Sequence, residues 1–145
     1  MLKKSAFLTL VAIASCPLLF AQMGKTVTNH TGVCQVTVPA NWTIDGTFGM
    51  ANSPDKKVSV AVTSPMSNTS LLKTEQSAPR MYPKDKVTKS TPSEFEMEGF
   101  SAMNGKPNVY RGIQLPGKIC LVEVIYESGT VADARKIAET LKSAK

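Results

Sequence analysis

Apolar and polar residues alternate along several short runs of the chain, a spacing that places apolar side chains on one face of a β-strand. The alternating runs are 33–38, 58–63, 94–102 and 109–113, with a shorter strand at about 48–51 and a more continuous apolar run at 119–126. Turn residues separate the runs, and the pair Asn104-Gly105 readily takes the positive φ of a type I′ hairpin turn. The pattern predicts a mostly antiparallel sheet.

Two segments have helical rather than strand spacing. The C-terminal segment has a capping residue at Thr130 and a carboxylate at Asp133 in its first turn. Its apolar face consists of Val131, Ala134, Ile137, Ala138 and Leu141. A shorter helix is predicted over 69–78, with Ser70 or Asn68 as its cap. Strands covered by these helices predict an α+β domain.

The segment after the middle helix is basic and interrupted by prolines, so 80–92 is predicted to be mainly loop. Arg80, Lys84, Lys86 and Lys89 lie within it. These four side chains are the predicted contact for an acidic protein partner or an anionic surface. The simpler interpretation is a solvated loop, because charge runs alone rarely specify a partner.

The first 21 residues have the pattern of a secretory signal peptide. Lys3 and Lys4 precede an apolar stretch over 6–20, and the small residue Ala21 stands before Gln22 at the predicted cleavage site. This stretch is shorter than the roughly 20 apolar residues that a membrane helix needs. We therefore predict a periplasmic or secreted bacterial protein without a transmembrane segment in its mature chain.

A second cleavage site competes with the first. Residues 13–16 resemble a bacterial lipobox, in which Cys16 becomes the acylated first residue and anchors the protein in the envelope. Against this alternative, the apolar residues 17–20 would follow the lipid directly, where a polar tether is usual. Cleavage after Ala21 is favoured, followed by a flexible segment over 22–32 and a single domain over 33–143.

Charge excludes one class of partner. Cleavage after Ala21 removes two of the 17 basic residues and none of the 11 acidic ones, which lowers the net charge from +6 to +4. This excess is mild, and no stretch interleaves aromatic residues with arginine. Nucleic acid is therefore not an expected partner.

Cys34 and Cys120 remain after cleavage, each in a predicted strand. An even number of cysteines in an oxidising compartment predicts one disulfide between them. The alternative is a pair of buried free thiols, because cysteine is among the most buried residue types.

Candidate catalytic and metal-binding residues are few. His30 is the sole histidine and lies in the predicted flexible segment, and no P-loop, G-x-S-x-G, dinucleotide or His-Glu-x-x-His motif is present. Glu94, Glu96 and Glu98 share one face of a strand, but they lack the tight turn and neighbouring ligands of a calcium site. A solvated face opposite lysines of the next strand is the simpler interpretation. We predict no enzyme and no cofactor.

Several motifs occur in an order that resembles the PsbP-like superfamily. They are the strand ending in Val38-Pro39-Ala40-Asn41-Trp42, the Ser53-Pro54-Asp55 turn before a valine-rich strand, the Asn104-Gly105-Lys106-Pro107 turn, and a closing helix with Ile137-Ala138-Glu139-Thr140-Leu141. The superfamily includes Ran-binding Mog proteins and small exported bacterial relatives. The resemblance implies an antiparallel sheet sandwiched by helices and a binding or assembly role. No residue signature of photosystem attachment or Ran binding is present.

Two functional hypotheses follow. The first is an exported, non-catalytic binding or assembly module of the bacterial envelope whose ligand the sequence does not name. The second is a small secreted enzyme or an enzyme inhibitor, the inhibitor acting through an exposed loop at 79–92.

Overall fold

The computed structural model describes residues 23–64, 70–81, 86–101 and 104–145. The predicted leader, the cleavage site at Ala21 and Gln22, the lipidation candidate Cys16 and Lys84 lie outside these residues. In chain order the elements are β1 Met23–Thr28, β2 Cys34–Pro39, β3 Thr43–Asp45, β4 Met50–Asn52, β5 Val58–Thr63, α1 Leu71–Met81, β6 Lys86–Ser90, β7 Glu94–Phe100, β8 Pro107–Leu115, β9 Lys118–Tyr126, α2 Val131–Glu139 and β10 Lys142–Ser143.

The larger of two sheets has seven antiparallel strands in the order β3-β4-β5-β9-β8-β7-β6. Its interior strand β9 is the run that the sequence marks as most continuously apolar. Val122 and Val124 are buried on one face of β9, and Ile119 and Leu121 are buried on the other. A strand buried on both faces loses the simple alternation of a half-buried strand, which explains the apolar run.

A smaller sheet in the order β1-β2-β10 packs on the larger one. Its strand β1 corrects the prediction that 22–32 is flexible, because Met23–Thr28 pairs with β2 over nearly its whole length. Val27 is fully buried in this strand. Backbone hydrogen bonds to β2 form whatever the polarity of the side chains. The threonines and lysine of this segment therefore gave no apolar pattern from which the strand could be predicted.

The helices lie on opposite faces of the larger sheet. Ala134, Ile137 and Ala138 of α2 join the core that contains Val122 and Val124. On the other face, Leu71 of α1 joins a second core with the side chains Phe95, Met97, Tyr110, Ile119 and Leu121. The predicted α+β sandwich, an antiparallel sheet packed by a C-terminal helix and a shorter middle helix, is thereby confirmed.

The predicted boundaries of the middle region need two corrections. Helix α1 continues past Pro79 to Met81, and the segment 86–90, predicted to be loop, is the edge strand β6. All five residues of β6 are exposed, and the strand pairs with β7 alone. An edge strand held on one side buries little, so its sequence has no apolar alternation for a pattern to detect.

The predicted β7–β8 hairpin is present, and Gly105 has φ of 69°. The connection is longer than a two-residue type I′ turn, because the backbone N–H of Ser101 donates to the carbonyl of Lys106 at 2.8 Å. Asn104 instead accepts from the N–H of Lys106 at 3.0 Å through its side-chain oxygen. The Asn-Gly pair therefore indicated the hairpin correctly but not its turn type.

The predicted disulfide joins Cys34 and Cys120 in the structure. Cys34 belongs to β2 of the smaller sheet and Cys120 to β9 of the larger one, and both are fully buried. The bond is therefore a covalent link between the two sheets across the core.

Candidate functional site

A surface cleft of about 360 Å³ lies where the N-terminal end of α2 meets the turns after β2, β4 and β9. Its size falls near the lower end of the range for ligand pockets, roughly 300 to 1,000 Å³. The lining residues are Pro39, Asn41, Trp42, Ser53, Pro54, Asp55, Val58, Tyr126, Ser128, Gly129, Thr130, Asp133, Ala134 and Ile137. The lining thus combines an apolar wall with several hydroxyl and carboxylate groups.

The N-terminal end of α2 is closed by a capping box. The Thr130 hydroxyl accepts a hydrogen bond from the Asp133 backbone N–H at 3.2 Å. In return, Asp133 Oδ2 accepts from the Thr130 N–H at 3.2 Å and from its hydroxyl at 3.0 Å. The carboxylate of Asp133 therefore lies at the positive end of the helix dipole and offsets it.

Asp55 supplies the second carboxylate of the cleft. Its Oδ1 accepts from the Ser53 hydroxyl at 2.6 Å and from the Lys57 backbone N–H at 3.1 Å. The Ser53 hydrogen bond first, then the Lys57 N–H and the positive charge of Lys57, hold the pKa of Asp55 below its ordinary value. Asp55 is consequently ionised at neutral pH and fixed in orientation.

Two aromatic residues form part of the wall. Trp42 is 5% exposed, and its carbonyl accepts from Lys25 Nζ at 2.9 Å. The backbone N–H of Trp42 donates to the Pro39 carbonyl at 3.1 Å, and this hydrogen bond turns the chain back onto the core. Tyr126 is half-buried, and desolvation raises the pKa of its hydroxyl. A neutral phenol and an indole therefore border the two carboxylates.

The basic residues predicted to contact a partner do not lie together on one loop. Arg80 lies near the end of α1, whereas Lys86 and Lys89 lie on the edge strand β6. Lys86 is exposed opposite Glu98, and Lys89 forms an ion pair with Glu94. The described part of this segment is therefore helix end and strand rather than the loop on which the inhibitor hypothesis depended.

The three glutamates of β7 are not a solvated face. Glu94 contacts Arg111 of β8 at 2.5 Å and pairs with Lys89 of β6. The following strand β8 therefore presents an arginine rather than the lysines of the simpler interpretation, and the lysine comes from the segment predicted to be loop. The Glu96 side chain is only 5% exposed, and its carboxylate accepts from Arg135 Nε at 2.8 Å.

Glu96 also lies 3.8 Å from Arg111, and Glu98 forms an ion pair with Arg135. Arg135 belongs to α2, so the helix covers this face and converts it into a cluster of ion pairs. Alternation indicated which face the glutamates occupy, but it could not show that a helix with an arginine would cover that face.

The remaining candidates for chemistry are His30 and a metal site. His30 is exposed in the turn between β1 and β2, and it is not among the residues that line the cleft. Within residues 23–64, 70–81, 86–101 and 104–145, no group of three or more His, Cys, Asp or Glu side chains is arranged to hold a metal ion. Across the same residues, no helix is long and apolar enough to cross a membrane.

A solved structure resembles this architecture over most of its length. The solution structure of cyanobacterial PsbP (CyanoP) from Synechocystis sp. PCC 6803 superposes with a TM-score of 0.53, covering 90% of this chain and 98% of that one. The fold is PsbP-like. Sequence identity in the superposition is 9%, so this likeness concerns the fold alone. No protein-family model and no curated protein matches the sequence.

The cleft was not predicted from the sequence, although the motifs that supply its residues are present there. Trp42 comes from the Pro-x-x-Trp motif, Asp55 from the Ser-Pro-Asp turn, and Asp133 from the predicted helix cap. Each motif has a sufficient local explanation as a turn or a cap. Only the packing of α2 against the turns after β2 and β4 brings the three together.

Proposed function

We propose that the protein is an exported, non-catalytic binding module of the bacterial envelope, and that the cleft beside α2 is its binding site. The observation that carries this proposal is the cleft itself, which combines an apolar and aromatic wall with a few fixed polar groups. That combination is typical of sites that hold a ligand in one orientation. The PsbP-like fold is compatible with many functions, so the proposal depends on the site rather than on the fold.

The chemistry of the cleft favours binding over catalysis. Ser53 donates to Asp55, but the Ser53 hydroxyl also accepts from the Val58 N–H at 3.0 Å, which holds the turn between β4 and β5 closed. In the part of the chain that the structure describes, the lining includes no histidine, lysine or cysteine that could serve as base or nucleophile beside this serine. The polar groups are thus arranged to hold a shape and a charge.

Export is supported by the leader pattern and by the disulfide, because structural disulfides persist mainly in oxidising compartments. Intact mass of the natively exported protein, with and without reduction before alkylation, tests this part. We expect a chain that begins at Gln22 and takes up two alkyl groups only after reduction. A chain that begins at an acylated Cys16 instead places the module on the envelope membrane, and a chain that keeps its leader contradicts export.

Binding at the cleft is tested by NMR with a set of small neutral apolar and aromatic fragments. We expect shifts of backbone amides confined to the cleft, reduced when Ser128→Trp places an indole ring at its exposed rim. Ser93→Trp is the matched control, since Ser93 is also exposed but lies in the turn before β7. If no fragment shifts the cleft residues, or if both variants behave alike, the cleft is not a binding site.

A further inference from the structure

We infer that the cleft selects a cationic group on an apolar stem, namely an arginine or lysine side chain that an extended segment of a partner protein presents. This inference rests on the proposed function, because it names the partner chemistry of the same site. It follows from the charge of the lining, from how the two carboxylates are held, and from the shape of the wall.

The charge of the cleft is opposite to that of the chain. The whole sequence has a net charge of +6, yet the described lining residues include Asp55 and Asp133 and no lysine, arginine or histidine. Among the described residues, neither carboxylate forms an ion pair, whereas Glu94, Glu96 and Glu98 are each paired with arginine or lysine. The two acids of the cleft are thus not neutralised by a partner of this kind and can meet a cation from outside.

Both carboxylates are held before any ligand arrives. Asp55 is oriented by the Ser53 hydroxyl and the Lys57 N–H, and Asp133 by the two hydrogen bonds from Thr130. Fixed acceptors lose little conformational entropy on binding. Lys57 is an opposing charge that helps to lower the pKa of Asp55, but it is not among the described lining residues.

The wall suits the stem of a long basic side chain. Trp42, Tyr126, Val58 and Ile137 supply apolar contact for methylene groups, and aromatic rings attract ammonium and guanidinium groups. Pro54, Asp55 and residues 128–130 are exposed, so one rim of the cleft is open to solvent. An open rim lets a polypeptide continue past the cleft on both sides of the bound side chain.

Trp42 is the only tryptophan of the chain, so its fluorescence reports on the cleft directly. The probes are the blocked tripeptide acetyl-Gly-Arg-Gly-amide, the same peptide with neutral citrulline for arginine, and agmatine as a free organic cation. We expect saturable binding of the arginine peptide. The citrulline peptide, which keeps the shape but not the charge, should bind at least about tenfold more weakly.

Substitutions of the two aspartates test whether the arginine peptide binds at the cleft. Asp55→Asn and Asp133→Asn keep a hydrogen-bond acceptor and remove one charge each, and each should weaken the arginine peptide about threefold to tenfold. Asp45→Asn is the matched control: Asp45 also accepts a backbone N–H, from Thr47 at 3.1 Å, but lies outside the cleft. Asp133 also caps α2, so thermal unfolding checks that the Asp133→Asn protein keeps this helix folded. Asp55 lies in an exposed turn, so Asp55→Asn tests the inference without changing a helix cap.

The outcomes separate this inference from the proposed function. Equal binding of the arginine and citrulline peptides, or an equal effect of Asp45→Asn and Asp55→Asn, overturns charge selection. If agmatine binds as tightly as the arginine peptide, the ligand of the cleft is a small organic cation, and the inference of a partner protein segment is wrong. If neutral fragments occupy the cleft while the cationic probes do not bind, the binding module stands and the basic partner does not.

Discussion

Gly112 shows how closely the second core is packed at the scale of one residue. It lies opposite Phe95 across β7 and β8, and the Phe95 ring covers the place where a side chain would stand. A Cβ added there would come 2.4 Å from Phe95 Cε1 and 2.9 Å from Leu121 Cδ2. Glycine is required here by the space available rather than by its backbone freedom.

We therefore expect Gly112→Ala to lower the free energy of unfolding by about 1 to 3 kcal/mol, the usual cost of overpacking a core. Gly46→Ala is the control, because an added Cβ there meets nothing within 4 Å. Urea unfolding of both variants checks the prediction. A Gly112→Ala protein as stable as the Gly46→Ala protein would show that the ring of Phe95 moves aside freely.

Glu94 gives the fold a dependence on pH. The hydrogen bond from Lys89 first, and the charge of Arg111 next, hold the pKa of Glu94 below its ordinary value despite partial burial. A carboxyl whose pKa is lower in the folded state stabilises the fold above the ordinary glutamate pKa. That stabilisation is lost as the pH falls through the lowered folded value.

The difference in unfolding free energy between the native protein and Glu94→Gln should thus be constant near neutral pH and shrink in acid. Lys89→Met, which removes the main cause of the shift, should reduce the same dependence. Urea unfolding at a series of pH values measures it. A difference that grows as the pH falls has the wrong sign for this account.

Helix α2 serves two purposes at the scale of an element. Its apolar face packs on the core, and Arg135 beside that face reaches the buried carboxylate of Glu96. Thr88 also donates to this carboxylate at 3.1 Å, so β6, β7 and α2 meet at one group. The same helix supplies Thr130 and Asp133 to the cleft, and its position thus determines the geometry of the binding site.

Glu96→Ala should lower the free energy of unfolding by about 2 to 4 kcal/mol, because it removes the buried carboxylate that accepts from Arg135 and offsets the charge of Arg111. Glu139→Ala, an exposed change on α2, should stay within about 0.5 kcal/mol of the native protein. Chemical unfolding followed by far-UV circular dichroism compares the two. Equal stability of both variants would mean that the cluster of ion pairs does not hold α2 in place.

The disulfide between β2 and β9 acts at the scale of the whole molecule. It joins residues 86 positions apart and links the smaller sheet to the larger one. The chain-entropy model gives about 4 to 5 kcal/mol for a loop of this length. Reduction should therefore shift the urea midpoint markedly, and Cys34→Ala/Cys120→Ala should match the reduced protein and be insensitive to reductant. An unchanged midpoint on reduction would show that core packing alone unites the two sheets.

The main elements of this fold could be predicted from the sequence. Alternating apolar positions predicted β2, β5, β7 and β8, and a continuous apolar run predicted β9, because each strand buries at least one face. Thr130 predicted the start of α2 because capping is local chemistry. The strands β1, β3, β6 and β10 were not predicted. They are short or polar, and they are held by backbone pairing with a neighbouring strand rather than by an alternating apolar face of their own.

Local residue patterns were enough to predict the α+β class, the faces of the main strands, the N-cap of the C-terminal helix and the two cysteines available for a bridge. Each of these depends on residues close together in the chain or on residue type. That α2 covers the glutamates of β7, and that Trp42, Asp55 and Asp133 border one cleft, follows from the packed fold. Those relations join residues far apart in the chain, and they arise from how the helix and the sheets pack.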